Sequence, residues 1–134
     1  CRYFEEVQPE PALFGSEAVG KALVEMWQRR MELHFLSPVA HAFRHIHPAM
    51  KEWEVPQVAE WGEANKPKAI DFLRILNIHL ADNRFVAGNA YSIADITGQV
   101  AVEFMKPARL TVPDELENVK RWFAEVSARA SATA

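Results

Sequence analysis

The segment Arg84-Phe85-Val86-Ala87-Gly88-Asn89-Ala90-Tyr91-Ser92-Ile93-Ala94-Asp95-Ile96 decides how the rest of the chain is read. Within it, Ser92-Ile93-Ala94-Asp95 is a helix start. The Ser92 hydroxyl can accept from the N3 backbone N–H, while the Asp95 carboxylate, in place of the usual Glu, reaches back to the N–H of Ser92. Tyr91 and Ile96 fall at the N′ and N4 positions of a hydrophobic staple. This capping role accounts for Asp95 without general-acid chemistry. Upstream, Asp82 to Tyr91 reads as a non-helical crossing in which Gly88 relieves a positive φ. Downstream, the helix from Ile93 to about Met105 is apolar on most of its circumference, through Ala94, Ile96, Val100, Ala101, Val102 and Phe104. Such a helix belongs in the centre of a bundle.

Outward from this helix, apolar residues keep recurring at three- and four-residue spacings and no period-two run appears, so the fold class is all-α. Arg2 to Val7 reads as the last turns of a helix, closed by the extended Pro9-Glu10-Pro11. Ser16 is the expected N-cap of a long helix carrying Val19, Leu23, Met26, Trp27, Met31 and Phe35 on one broad stripe. That helix is expected to run to about Phe43 with a bend near Pro38. After a short connection between His47-Pro48 and Val55-Pro56, a second long helix spans Gln57 to about Ala81. Its core stripe holds Ile70, Leu73, Leu76 and Leu80, and Pro67 predicts a kink or an early end near Asn65. A final helix is expected from about Pro113 to Arg129, with Asp114 and Glu115 in its first turn and Leu116, Val119, Trp122, Phe123 and Val126 on one face. The Ala/Ser/Thr tail should fray.

Composition bounds the function. The 134 residues are 49% apolar and carry 15 Lys+Arg against 18 Asp+Glu, a formal charge of −3. With no basic block beyond Arg29-Arg30, neither nucleic acid nor an anionic membrane is the expected partner. A single Cys forms no intrachain disulfide, so a cytoplasmic setting is the default. No apolar run reaches the length of a membrane span or a signal-peptide core. The chain opens at Cys1-Arg2-Tyr3 with no Met and is read as a piece of a longer protein.

This succession of helices resembles the all-helical C-terminal domain of glutathione S-transferases, over nearly the whole chain. The segment from Arg84 to Ile96 is similar to that family's loop and capping box ahead of its buried central helix. Cys1-Arg2-Tyr3-Phe4-Glu5 resembles the end of the third helix of the preceding thioredoxin-like domain, and Gln8 to Gly15 resembles the interdomain linker. The resemblance implies three parts: residues 1–8 from a truncated thioredoxin-like domain, 9–15 as linker, and 16–134 as the helical domain. It also implies that the family's catalytic Tyr, Ser or Cys, its cis-proline and its acidic-serine pair lie upstream, so this chain supplies no catalytic residue. The implied activity of the parent is conjugation of glutathione, a co-substrate rather than a cofactor, to a small hydrophobic electrophile, or its use in reduction or isomerisation. A homodimer is implied as well. The rival reading is a non-catalytic helical module of the same fold, for assembly or ligand binding.

Two constellations stand out. Trp27, Arg30, Met31 and His34 are spaced by three, four and three, which puts them on one side of the long helix. The resemblance implies that this helix lines the cleft between domains. Glu32-Leu33-His34 matches a short stretch of bacterial transferases in which the His approaches glutathione. A cation on an otherwise apolar face needs an anionic partner or solvent, which singles out Arg30. The second constellation is His41, His45 and His47. It lacks the glutamate of a zincin, and Arg44 repels a metal, so it reads as a helix end with His favourable toward the dipole and not as a metal site. Cys1 reads as a small buried hydrophobe and not as a nucleophile.

Overall fold

The computed structural model describes residues 2–132; the expectation for Cys1 lies outside them. Among these described residues six α-helices follow one another: α1 (Arg2–Val7), α2 (Ala18–Arg30), α3 (Ser37–Ile46), α4 (Ala59–Asp82), α5 (Ile93–Met105) and α6 (Glu117–Ser127). A π-helical segment, Met31–Leu36, joins α2 to α3 without a break. Among the described residues no β-strand forms, and the loop after α4 holds only an isolated bridge between Phe85 and Gly88. Gly88 sits at φ +126°, where a side chain would be strained.

The helix apolar on most sides takes the central position. α5 packs against α2, the π segment and α6, while α3 lies along α4. Met31, Phe35, Val39, Leu73, Leu76, Leu80, Met105 and Trp122 close the core with almost no exposed surface. Gly98 of α5 makes the approach of Met31 and Trp122 possible. A Cβ there would stand 2.7 Å from Trp122 Cη2 and closer still to Met31 Cε.

Several boundaries differ from the expected ones, each for a physical reason. The first long helix starts at Ala18 with extended Glu17 at its N-cap, so Ser16 lies one residue too early to cap it. It continues past Phe43 to Ile46, and its irregularity lies just before Pro38. Pro38 has no N–H to donate and its ring crowds the carbonyl four residues back. The ladder widens there, with the Ser37 N–H reaching Glu32 O. On α2 only part of the apolar stripe meets the bundle: Val24 and Trp27 are buried, whereas Val19, Leu23 and Met26 are exposed. α4 runs through Pro67 as one element, its face of Asn65, Ala69, Phe72 and Leu73 buried along α3. α6 begins four residues later than expected. Pro113 to Leu116 forms a turn, with Leu116 N–H bonded to Pro113 O at 3.2 Å. Of the tail, Ala130–Ala132 forms a 3₁₀ turn, while the expectation for Thr133 and Ala134 lies outside the described residues.

Candidate functional site

The π segment and α3 on one side and α4 on the other enclose a groove of about 600 Å³. Its walls include Arg30, Leu33, His34, Pro38, His41, Trp61, Lys68 and Phe72. π-helical turns inside α-helices recur at functional sites, and this one carries His34.

The four residues on the expected common face are divided by the packing. Met31 is fully buried beneath Gly98, and Trp27 is 5% exposed, its ring packed on His79 at 4.0 Å between centroids. These two belong to the core. Arg30 and His34 reach the groove. The Arg30 guanidinium carbon lies 4.2 Å over the Trp27 ring, so the buried indole holds the cation in place. The exposed His34 stacks at 6.1 Å on Phe72 of α4. Sequence reasoning missed the α4 wall, where Lys68 Nζ sits 4.6 Å over Trp61 and His41 meets the same indole edge-on at 5.9 Å. A Trp followed seven residues later by Lys was the available signal, but only the docking of α4 on α3 gives it meaning.

Two histidines of the second constellation, His45 and His47, hold backbone, while His41 packs against Trp61. His45 Nδ1 accepts the Val58 N–H at 3.2 Å, ahead of α4, and His47 Nδ1 accepts the Ala49 N–H at 3.2 Å. Glu54 stands 3.8 Å from His45 and 2.7 Å from Arg44, which ties the connection to the end of α3. Among the described residues no three His, Cys, Asp or Glu side chains gather as a metal site.

The capping box ahead of α5 is formed, and its carboxylate does more than cap. Asp95 is fully buried, and its two oxygens accept from Ser92 N–H at 2.9 Å, Ser92 Oγ at 3.1 Å, Val86 N–H at 2.8 Å and Trp122 Nε1 at 2.8 Å. Burial pushes its carboxyl above the usual carboxylate range, and these donors pull it back only in part. Tyr91 packs edge-to-face on Phe85 at 5.8 Å, with Arg129 above its ring. The same loop is held from α4, because Val86 O accepts from His79 Nε2 at 2.9 Å. That bond fixes the His79 tautomer and turns its ring toward Trp27.

The bundle thus joins a buried, bonded capping box to a polar-rimmed groove beside a π turn. Residues 26–130 match the family Glutathione S-transferase, C-terminal domain, and the chain belongs to it. It is 32% identical over 130 residues to Glutathione S-transferase 2 of Saccharomyces cerevisiae, covering 96% of this chain and 56% of that protein. Its fold is similar to the crystal structure of Gtt2 from the same yeast, with a TM-score of 0.93 and 31% identity over 98% of this chain and 64% of the other. A Gtt2-class glutathione S-transferase of Vibrio parahaemolyticus gives 0.87 and 33% identity, covering 100% of this chain and 63% of that one. The chain thus spans less than two thirds of each of these relatives.

Proposed function

We propose that this chain is the electrophile-side domain of a cytoplasmic glutathione transferase, in which a preceding thioredoxin-like domain ends in residues 1–8 and is joined through 9–15. In this reading the preceding domain lowers the thiol pKa of glutathione, since only the thiolate attacks. The helical domain holds the acceptor beside it, converting a bimolecular encounter into an oriented one. The observation that carries the reading is the pair Arg30 and His34, held at an open groove by Trp27 and Phe72 and free of any carboxylate among the described residues. A guanidinium so placed suits anionic glutathione or its adduct.

The test is steady-state kinetics on the protein carrying its preceding domain. Arg30→Ala and His34→Ala should raise the apparent KM for glutathione or for the electrophile with the fold intact. This chain alone should neither conjugate nor bind glutathione saturably at micromolar concentration, which calorimetry reads directly. Unaltered KM values in both variants, or tight glutathione binding by these 134 residues, would refute the assignment. Absence of turnover in the two-domain protein would leave the non-catalytic module.

A further inference from the structure

We infer that the groove between the π segment and α4 selects a planar aromatic ligand bearing an anionic group, such as an aryl carboxylate. This deepens the proposed function and rests on it, by naming the class of electrophile.

Two cations at the groove, Arg30 and Lys68, lack a carboxylate partner among the described residues. Elsewhere on the chain Arg29, Arg44, Arg74 and Arg84 each hold a carboxylate. Among the described residues Arg30 and Lys68 hold none, as Lys21, Lys51, Lys106, Arg109 and Arg129 also hold none; what sets these two apart is that both line the groove and each is set over an indole, Trp27 and Trp61 respectively. The acidic residue of the groove, Asp71, is already bonded to Arg74 at 2.6 Å. The cations therefore flank the groove with their charge uncompensated, in a chain whose overall charge is −3. A ring over a cation removes water from one side of it and leaves the other side facing the groove. Between the two, the exposed His34 imidazole, backed by the buried Phe72 ring, offers a flat face for a second ring. A volume of about 600 Å³ accommodates a bicyclic aromatic. An anionic group on that ring meets the local positive field, a neutral one retains stacking alone, and a cationic one is repelled.

The experiment titrates this chain with three probes of one shape: a naphthoate, its neutral carboxamide and its cationic aminomethyl analogue. Indole fluorescence and amide chemical shifts follow binding. The naphthoate should bind about five-fold tighter than the carboxamide at low salt, the cation more weakly than either, and the preference should shrink as salt is added. Shift changes should map to the Trp61 indole N–H and to Lys68 and Phe72. Lys68→Gln, an exposed substitution that leaves the core untouched, should bring the naphthoate down to the affinity of the carboxamide, and Arg30→Gln should act in the same direction. Equal affinities for the three probes, shift changes centred elsewhere, or a preference that survives both substitutions would overturn the inference. Turnover with glutathione plays no part in this readout, so its failure and that of the proposed function are told apart.

Discussion

Asp95 shows how much a single buried carboxylate can organise. It receives hydrogen bonds from the loop at Val86, from both polar groups of Ser92, and from Trp122 of α6, so three stretches of chain converge on two oxygens. In Asp95→Asn the amide nitrogen replaces one acceptor and confronts donors, leaving buried N–H groups unsatisfied. A loss of about 3 kcal/mol is expected, against about 1 kcal/mol for Ser92→Ala, which removes one hydroxyl. Urea midpoints measure both, and an Asn variant as stable as the parent would refute this account. Burial raises the folded-state pKa of Asp95 above its ordinary 3.8. A carboxyl raised in this way binds its proton more readily folded than unfolded. Its contribution is therefore fully present below the unfolded value and declines as pH rises through the folded one. Asp95→Asn should abolish that slope; parallel pH–stability curves for the two proteins would show that Asp95 contributes none, and a parent whose stability rose with pH relative to the variant would show the sign to be wrong. At Gly98 the constraint is steric: a Cβ meets the rigid Trp122 ring as well as the mobile end of Met31. Gly98→Ala should cost about 1–3 kcal/mol by overpacking, read from thermal melts, and a neutral substitution would mean that the indole has room to shift.

At the level of the helices, the two capped starts differ in how far away the cap comes from. The cap of α5 lies within four consecutive residues, which is why Ser92 to Asp95 is readable as a helix start from the sequence. The cap of α6 comes from α4: Asn77 Oδ1 accepts from Asn118 N–H at 3.0 Å and from Val119 N–H at 3.2 Å, and Asn118 Nδ2 returns a bond to Asn77 O at 3.0 Å. Nothing within the sequence around Pro113 announces an acceptor 41 residues away, so the start of α6 reads too early. Asn77→Ala should cost about 1–2 kcal/mol and raise amide exchange in the first turn of α6 before the rest of the helix. Uniform exchange across α6 would argue against the cap. The same distinction divides the candidate site. Arg30 and His34 are legible as one helical face, and so is the bundle centre at α5. The opposite wall of Trp61, Lys68 and Phe72 exists only once α4 lies along α3. The expected face also takes in Met31 and Trp27, because periodicity assigns residues to sides of a helix and cannot say which neighbour covers each side.

At the scale of the whole molecule, the exposed apolar flank of α2 calls for a cover. Val19, Leu23 and Met26 are 72%, 43% and 43% exposed, although they fall on the same side of the helix as Arg30. The cover is not α1, whose Arg2 pairs with Glu25, roughly opposite Leu23 around the helix. The homodimer that the family resemblance implies for the parent would place the α2 of a second copy against this flank, so that the groove opens beside the twofold axis. Trp27, counted into that stripe from the sequence, is buried within its own subunit and takes no part. A twofold contact repeats each residue across the axis, so one substitution acts twice. Leu23→Glu and Met26→Glu place like charges against each other in the dimer yet alter only half-exposed positions in the monomer. Each should shift the two-domain protein from dimer to monomer in light scattering, with unchanged helical circular dichroism and a preserved melting transition in the isolated 134-residue chain. A double variant that remained dimeric at micromolar concentration would place the twofold axis on another face, and one that unfolded would show that this flank stabilises the monomer itself.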